Sequence, residues 1–570
     1  MILQALASYY ERLEGSPTVA VTGYSREKIH FALVLDKDGN LLQLLDLREQ
    51  KGKKLAPREI IVPQGVKKSV NIAANFLWGN TAYVLGADNK GKPGRTAECH
   101  KAFKQLHKEL LGKSSDVGAN AVLQFLEKWK PARASKLEYW DELQKGNLVF
   151  QLEGSLGFIH ERKEIKTVWN AKSRSGKPEE HATCLVSGQY APIARLHPAI
   201  KGVRDSQSSG AAIVSFNLDS FCSYGKSQNF NAPVSEEKTF AYTTALNHLL
   251  RFDSKNRIQI GDATTVFWTE RDTPVEGFLG IVLDPRDTAG DDKELAVFLE
   301  TIREGKFPGE YDPGIRFFIL GLSPNASRLS IRFWHAGTVG DISQKLGQHF
   351  SDLRIVRSFD TDPEFPGMWH ILRETCNRKS NDGPSPLLAG AIMKSILEGT
   401  LYPQALLSAV IGRIRAEQNI NYLRASILKA VLTRKNRILN CIMEVPMALD
   451  KENKNIAYLL GRLFAVLEKA QQDAIPGANA TIKDRFYGSA SATPRAVFPQ
   501  LLRLAQHHVQ KAEYGRFRDK QIEEIMGEIT EFPANMTLEQ QGLFAIGYYQ
   551  QRQEFYKKSN SAQSETNKEA

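Results

Sequence analysis

Residues 207–235 read QSSGAAIVSFNLDSFCSYGKSQNFNAPVS: seven serines, three asparagines, two glutamines and two glycines, with one acid, Asp219, and one base, Lys226. Neutral donors and acceptors beside backbone-permissive glycines suit a surface that grips a polar ligand at close range. The candidates for such contacts are Gln207, Ser208, Ser209, Gly210, Lys226, Asn229 and Asn231. The plainer reading is a pair of Ser/Asn-rich loops capping a strand at Ala211 to Phe216 and the helix that follows. A second stretch, Lys67 to Gly86, carries Lys67 and Lys68, then Asn71, Asn75 and Asn80 around Trp78. Lysine neutralises phosphate and asparagine reads base edges. Asn71 and Asn75 are four apart and share a face if the segment is helical. The alternative is a helix start with polar caps beside a buried Phe76-Leu77-Trp78 cluster.

Charge points the same way. Lysines and arginines number 75 against 64 acids, a net charge of +11, which favours an anionic partner. The excess is concentrated. Residues 51–110 hold twelve bases and four acids, and residues 411–440 hold Arg413, Arg415, Arg424, Lys429, Arg434, Lys435 and Arg437 against Glu417 alone. A charged helix face is ordinarily just solvated, but this density favours nucleic acid.

Bond-breaking signatures are sparse. The sequence shows no phosphate-binding glycine loop, nucleophile elbow, HExxH or paired CxxC. Glu164-Ile165-Lys166 and Glu236-Glu237-Lys238 echo the E-x-K of nucleases, yet such catalysis also needs upstream carboxylates to hold a metal. His181, Cys184 and His197 lack the fourth ligand of a structural zinc site. Asp36 and Asp38 read as a turn. The chain reads as a binder with no cofactor and no metal.

The elements that must position these residues are legible in outline. MILQALASYYERL is an amphipathic helix, and TVAVTGY and HFALVLDKDGNLLQLLDLR are β structure with a hairpin turn at Asp38-Gly39. Leu148 to Leu152 is a strand, EEKTFAYTTALNHLLRF a helix, Arg257 to Trp268 a strand pair, and Ile315 to Phe333 an antiparallel pair turning at SPNA. Arg328 and Arg332, four apart, fall on one strand face. After NDGPSP at 381–386 nearly everything is helical: 386–399, 403–416, 420–439, 451–474, 494–512, 518–531 and 537–556. The expected fold is α+β: mixed α/β recognition over residues 1–380, then a helical bundle over 386–570. The tail after Tyr556 reads as disordered. Five scattered cysteines speak against a disulfide framework, and no apolar run reaches the roughly 20 residues of a membrane span, so the expectation is a soluble cytoplasmic protein.

Long pieces of the chain resemble the large subunit of type I-C CRISPR surveillance complexes (Cascade). They are MILQALASYYERL, FLWGNTAYVLG, LHPAIKGV with SQSSGAAIVSFN, SYGKSQNFNAPVSEEKTFAYTTALNHLL, FFILGLSPNASRLSIRFW, and LGRLFAVLEKAQQDA with NATIKDRFYGSASATPRAVFPQLLRLAQHH. They run from Met1 to His508 in the family's order. The resemblance implies a non-catalytic subunit of a guide-RNA complex. It would recognise the protospacer-adjacent motif on double-stranded target DNA, help part the strands, hold the displaced non-target strand and support recruitment of the helicase–nuclease. Implied partners are the target DNA, the guide RNA, and the backbone, guide-processing and small subunits.

On that footing the 67–80 and 207–231 segments are expected to converge on the motif, and the bases from Arg413 to Arg437 to track the non-target strand. In this family the small subunit is made by internal translation of the large subunit's own C-terminal end, which makes Met447 the candidate alternative start, with Glu444-Val445-Pro446 encoding a ribosome-binding stretch. The rival readings are a guide-RNA-processing nuclease and a purely structural scaffold.

Overall fold

The run FALVL is apolar at every position, which a strand tolerates only when both its faces are covered. In the computed structural model Phe31–Leu35 is such a strand, buried throughout. The model describes all residues except 17, 52–53, 67–71, 89–91, 175–179, 274–275, 277–296, 298–299, 302–311, 378–382, 442–444 and 557–570. Lys67, Lys68 and Asn71, expected above to contact DNA, and the tail after Tyr556 lie outside the described residues.

By packing the chain forms two compact units: residues 1–198 with 214–248, and residues 199–213 with 249–570. In the first, Phe31–Leu35 is flanked antiparallel by Leu41–Asp46 and parallel by Asn147–Leu152, and Trp78–Asn80 completes the sheet. The hairpin turn falls at Asp38-Gly39 as expected. The Asp36 carboxylate accepts the N–H groups of Asp38 (2.9 Å) and Asn40 (2.8 Å), so its charge is engaged in closing the turn. One sheet face packs Phe31, Leu33 and Phe150 against Phe103 of the Pro93–Leu111 helix and Phe125 of the Val117–Lys128 helix. The other face packs Ala32 and Val149 against Ile60, Val62 and Trp78.

The second unit is built on a four-stranded antiparallel sheet, Arg257–Ile260, Ala263–Thr269, Arg316–Asn325 and Arg328–Thr338 in that order. Its register shifts between Gly321 and Leu322, which leaves Arg332 opposite no partner. That bulge interrupts the two-residue alternation. Arg332 is committed to Asp262 at 2.6 Å, so it does not share a free face with Arg328. From Pro386 helices take over, opened by the Ser385 cap on Leu388 N–H. The observed helices are Pro386–Glu398, Gln404–Glu417, Tyr422–Leu439, Ile456–Ala474, Ile482–Ala492, Pro494–Lys511, Gly515–Met526 and Leu538–Tyr556. Seven match the expected set. Ile482–Ala492 was not expected, because its Gly-Ser-Ala-Ser composition hides the helical period. Sheet and helices share one core running from Ile260 to Tyr549, so residue 386 lies inside the second unit rather than at its edge.

Candidate nucleic-acid interface

The candidate residues separate by where their side chains face. In the second unit Gln207 to Gly210 form a turn, closed by Gly210 N–H donating to the Gln207 carbonyl at 2.8 Å. Gln207, Ser208 and Ser209 are exposed. Gly210 has φ +90°, and a Cβ there would meet the Ala199 Cβ and the Ile200 carbonyl at 2.8 Å, so the turn needs glycine. The expected strand at 211–216 is replaced by two single bridges, Ile200 with Ala211 and Ala212 with Arg328. These bridges tie the turn to the tip of the long hairpin. Lys201 and Arg204 are exposed on the same excursion.

In the first unit the loop from Leu218 to Asn231 is pinned by the Asn231 side chain. Asn231 accepts Ser223 N–H through Oδ1 at 2.8 Å and donates Nδ2 to the carbonyls of Lys226 (3.0 Å) and Gln228 (2.8 Å). Its amide is spent on the loop, not offered to a base. Asn229 is buried (2 % exposed) and likewise faces inward. The loop instead presents Lys226 and Tyr224, whose ring is 99 % exposed. Tyr224 sits at φ +53°, followed by Gly225 at +68°. A left-handed tyrosine persists only where its surroundings fix it. Sequence reasoning did not single out Tyr224. The signal was there: an aromatic between serine and glycine in a stretch with no apolar period has no core to enter.

The Asn75–Asn80 segment is differently placed. Residues 72–75 are not helical, and Thr81–Val84 forms a short helix. Asn75 is buried and its Oδ1 accepts Val66 N–H at 3.1 Å. Asn80 caps the Thr81–Val84 helix by accepting Tyr83 N–H. Both amide oxygens therefore serve the backbone. Leu77, at φ +60°, is fastened by His107, whose Nε2 accepts Leu77 N–H at 2.9 Å while Nδ1 donates to the Phe103 carbonyl at 2.7 Å. This pairing requires the neutral ring, and burial pushes the His107 pKa down to about 4.

The basic run of residues 411–440 is the largest correction. The expectation was one phosphate-tracking face, but Arg424 and Arg434 are 1 % exposed and Lys429 is 3 % exposed. Arg424 pairs with Glu374 at 2.8 Å and with Glu417. Arg434 and Arg437 both bind Asp352, at 3.0 and 2.7 Å, and Arg434 also covers the Tyr402 ring at 4.1 Å. Lys429 donates to the Asp352 carbonyl at 3.1 Å, and burial pushes its pKa down to about 8. Lys435 meets Glu539 at 2.7 Å. These groups neutralise buried acids and carbonyls of the same unit. Arg413, 3.7 Å from Glu417, is half-buried; Arg415 and Arg437 reach solvent.

Elsewhere, His181 stacks on Tyr190, the Cys184 thiol accepts Ser235 N–H at 3.2 Å, and His197 bonds the Tyr242 hydroxyl at 2.6 Å. Among the described residues no group of three such ligands is placed to hold a metal ion, and no helix is long and apolar enough to cross a membrane.

A comparison with curated proteins gives no match. The family model described as CRISPR-associated protein (Cas_Csd1) matches residues 6–556, which include both units, the Tyr224 loop and the 207–210 turn. The chain therefore belongs to the Cas_Csd1 family of CRISPR-associated proteins, the large subunits of type I-C complexes.

Proposed function

We propose that this chain is the non-catalytic subunit through which a guide-RNA surveillance complex recognises a short motif on duplex DNA. On this reading it also helps part the strands, holds the displaced strand and supports recruitment of the helicase–nuclease. Family membership supports a place in such a complex. The observation that carries the finer reading is the Leu218–Asn231 loop, whose asparagine staple turns Tyr224 and Lys226 outward together. Lys226 supplies a phosphate contact, and Tyr224 supplies a face on which a base stacks. The exposed Gln207-Ser208-Ser209 turn adds uncharged donors and acceptors suited to base edges. The set of candidate contacts thus contracts: Asn75, Asn80 and Asn231 spend their side chains on the backbone, Asn229 is buried, and Tyr224 joins Lys226 as a contact residue.

The test uses the assembled complex on two duplexes that differ only in the motif beside the guide-matched stretch. Gln207→Ala should reduce the preference for motif-bearing DNA by about tenfold, from the ~1–3 kcal/mol expected of one base-edge contact, and Tyr224→Ala should weaken both duplexes by about tenfold, because every base offers a face to stack on. Lys226→Ala should weaken both duplexes alike, as a phosphate contact does. An unchanged preference in the Gln207 variant would leave the turn without this role, and an unchanged affinity in the Tyr224 variant would leave the loop without it. Turnover of DNA or RNA by the purified, metal-supplied chain would overturn the non-catalytic assignment.

A further inference from the structure

The Pro93–Leu111 helix of the first unit buries Thr96, Cys99, His100, Phe103, His107 and Leu111, a stripe at helical spacing. Beside that stripe run Lys101, Lys104 and Lys108, which successive helical turns place on a common face. They line a cleft of about 480 Å³, together with Ala97, His100 and Gln105 of the same helix, Gly86, Glu127 and Pro131. Its one acid, Glu127, lies 3.9 Å from Lys104 and is itself 70 % exposed. Lys101 and Lys108 make no ion pair among the described residues. Three like charges on one face repel one another, and beyond Glu127 the nearest acids on the helix are Glu98, three residues before Lys101, and Glu109, which accepts from Gln105 at 2.7 Å. The His100 ring feels this: burial first, and then Lys104, lower its pKa.

We propose that this cleft binds a single nucleic-acid strand whose phosphates run along Lys101, Lys104 and Lys108 and whose nucleotide enters the cavity. The proposal rests on the reading that the chain handles nucleic acid, and adds a site which neither the motif loop nor the basic run of residues 411–440 contains. The three lysines are spread over roughly 10 Å of helix at 1.5 Å per residue. That suits a row of phosphates, whereas a lone phosphate needs donors converging on one point. The cavity volume falls in the ~300–1,000 Å³ range of small-ligand pockets. A strand with unpaired bases can place one there, and a closed duplex cannot. His100 gives its Nδ1–H to the Tyr83 carbonyl at 2.9 Å, so the neutral ring keeps Nε2 as an acceptor for a base N–H.

The experiment measures binding of the full chain to a short fluorescein-labelled oligothymidylate, without the motif, across a salt series. Lys101→Gln, Lys104→Gln and Lys108→Gln together should lower the slope of log K against log salt by about 2, at ~0.7 per single-strand phosphate contact. Ala97→Leu, which intrudes on the cavity with an aliphatic side chain that offers no stacking face and keeps the lysines, should weaken binding about tenfold, the loss of one base contact, with the slope unchanged. Inorganic phosphate at matched ionic strength should not displace the strand. A native slope in the triple variant overturns the site. Unweakened binding by Ala97→Leu overturns entry of a nucleotide, and displacement by phosphate reassigns the cleft to small anions. If the triple variant fails while motif preference on duplex survives in the parent complex, only this site is lost. If the parent binds neither strand nor duplex, the nucleic-acid reading falls with it.

Discussion

Asp352 is 1 % exposed and carries one negative charge, yet Arg434 and Arg437 bind its carboxylate and Lys429 binds its carbonyl. Such a cluster is stable only as a set, because removing one member strands another's charge away from water. Arg434→Ala should therefore cost about 3–5 kcal/mol in urea unfolding, whereas Arg415→Ala, exposed on its helix, should stay within ~0.5 kcal/mol. Equal melting of the two variants would mean that Arg434 is not buried against Asp352. Any loss of DNA binding in Arg424, Lys429 or Arg434 variants should accompany loss of folded protein. This explains why the basic run misled sequence reading. Counting bases along 411–440 gives the sign of the charge but not its partners, and the neutralising acids, Asp352 and Glu374, lie 82 and 50 residues away in sequence from the arginines they bind. Asn75, Asn80 and Asn231 misled for a related reason: an asparagine that holds a loop and one that reads a base have the same composition signal.

Elements were more legible than sites. The apolar stripe through Leu460, Phe464 and Leu467 fixes its helix because burial repeats with the helical turn, and Asp38-Gly39 fixes its hairpin through turn chemistry. Short elements around Trp78 escaped because tertiary bonds make them: the strap from the Pro93–Leu111 helix through His107 to Leu77 spans 30 residues. That strap has a pH dependence with a definite sign. The folded His107 pKa, about 4, lies below the ordinary 6.5, so the unfolded chain binds more protons between those values. The strap's contribution is complete above pH 6.5 and falls by about 1.4 kcal/mol per pH unit as pH drops towards 4. His107→Gln keeps a donor and an acceptor but does not titrate. Between pH 7 and pH 5 the native chain should lose about 2 kcal/mol more stability than this variant, measured by urea unfolding at each pH. Equal losses would place the acid sensitivity elsewhere, with buried His160 and His349, whose pKa values burial pushes down to about 4 and about 3, the next groups to replace.

At the scale of the whole molecule, the second unit contains a part that is bonded mainly to itself. After Met447 the Ile456–Ala474 and Leu538–Tyr556 helices approach until only glycine fits. A Cβ on Gly461 would lie 2.0 Å from the Phe544 carbonyl oxygen, and one on Gly547 2.3 Å from that of Tyr458. Tyr458 bonds Gln550 at 2.6 Å, Arg462 bonds Gln551 at 3.2 Å and Arg552 bonds Glu468 at 3.0 Å, all downstream of Met447. Toward the rest of the unit the Leu538–Tyr556 helix turns a smaller surface, with Gly542 facing Leu407, Leu428 and Leu432, and with Lys435–Glu539 and Tyr549–Val356 contacts. A polypeptide started at Met447 would keep the first set of contacts and expose the second. Residues 447–570 expressed alone should be helical and melt cooperatively, and the bared Gly542 face should make them self-associate or bind a partner helix. In cells, changing the Met447 codon to leucine should abolish a short product while the full chain, in which Met447 is half exposed, accumulates as before. A short product persisting at unchanged size would remove Met447 as the start, and a fragment without cooperative melting would show that the bundle needs the Gln404–Glu417 and Tyr422–Leu439 helices to fold.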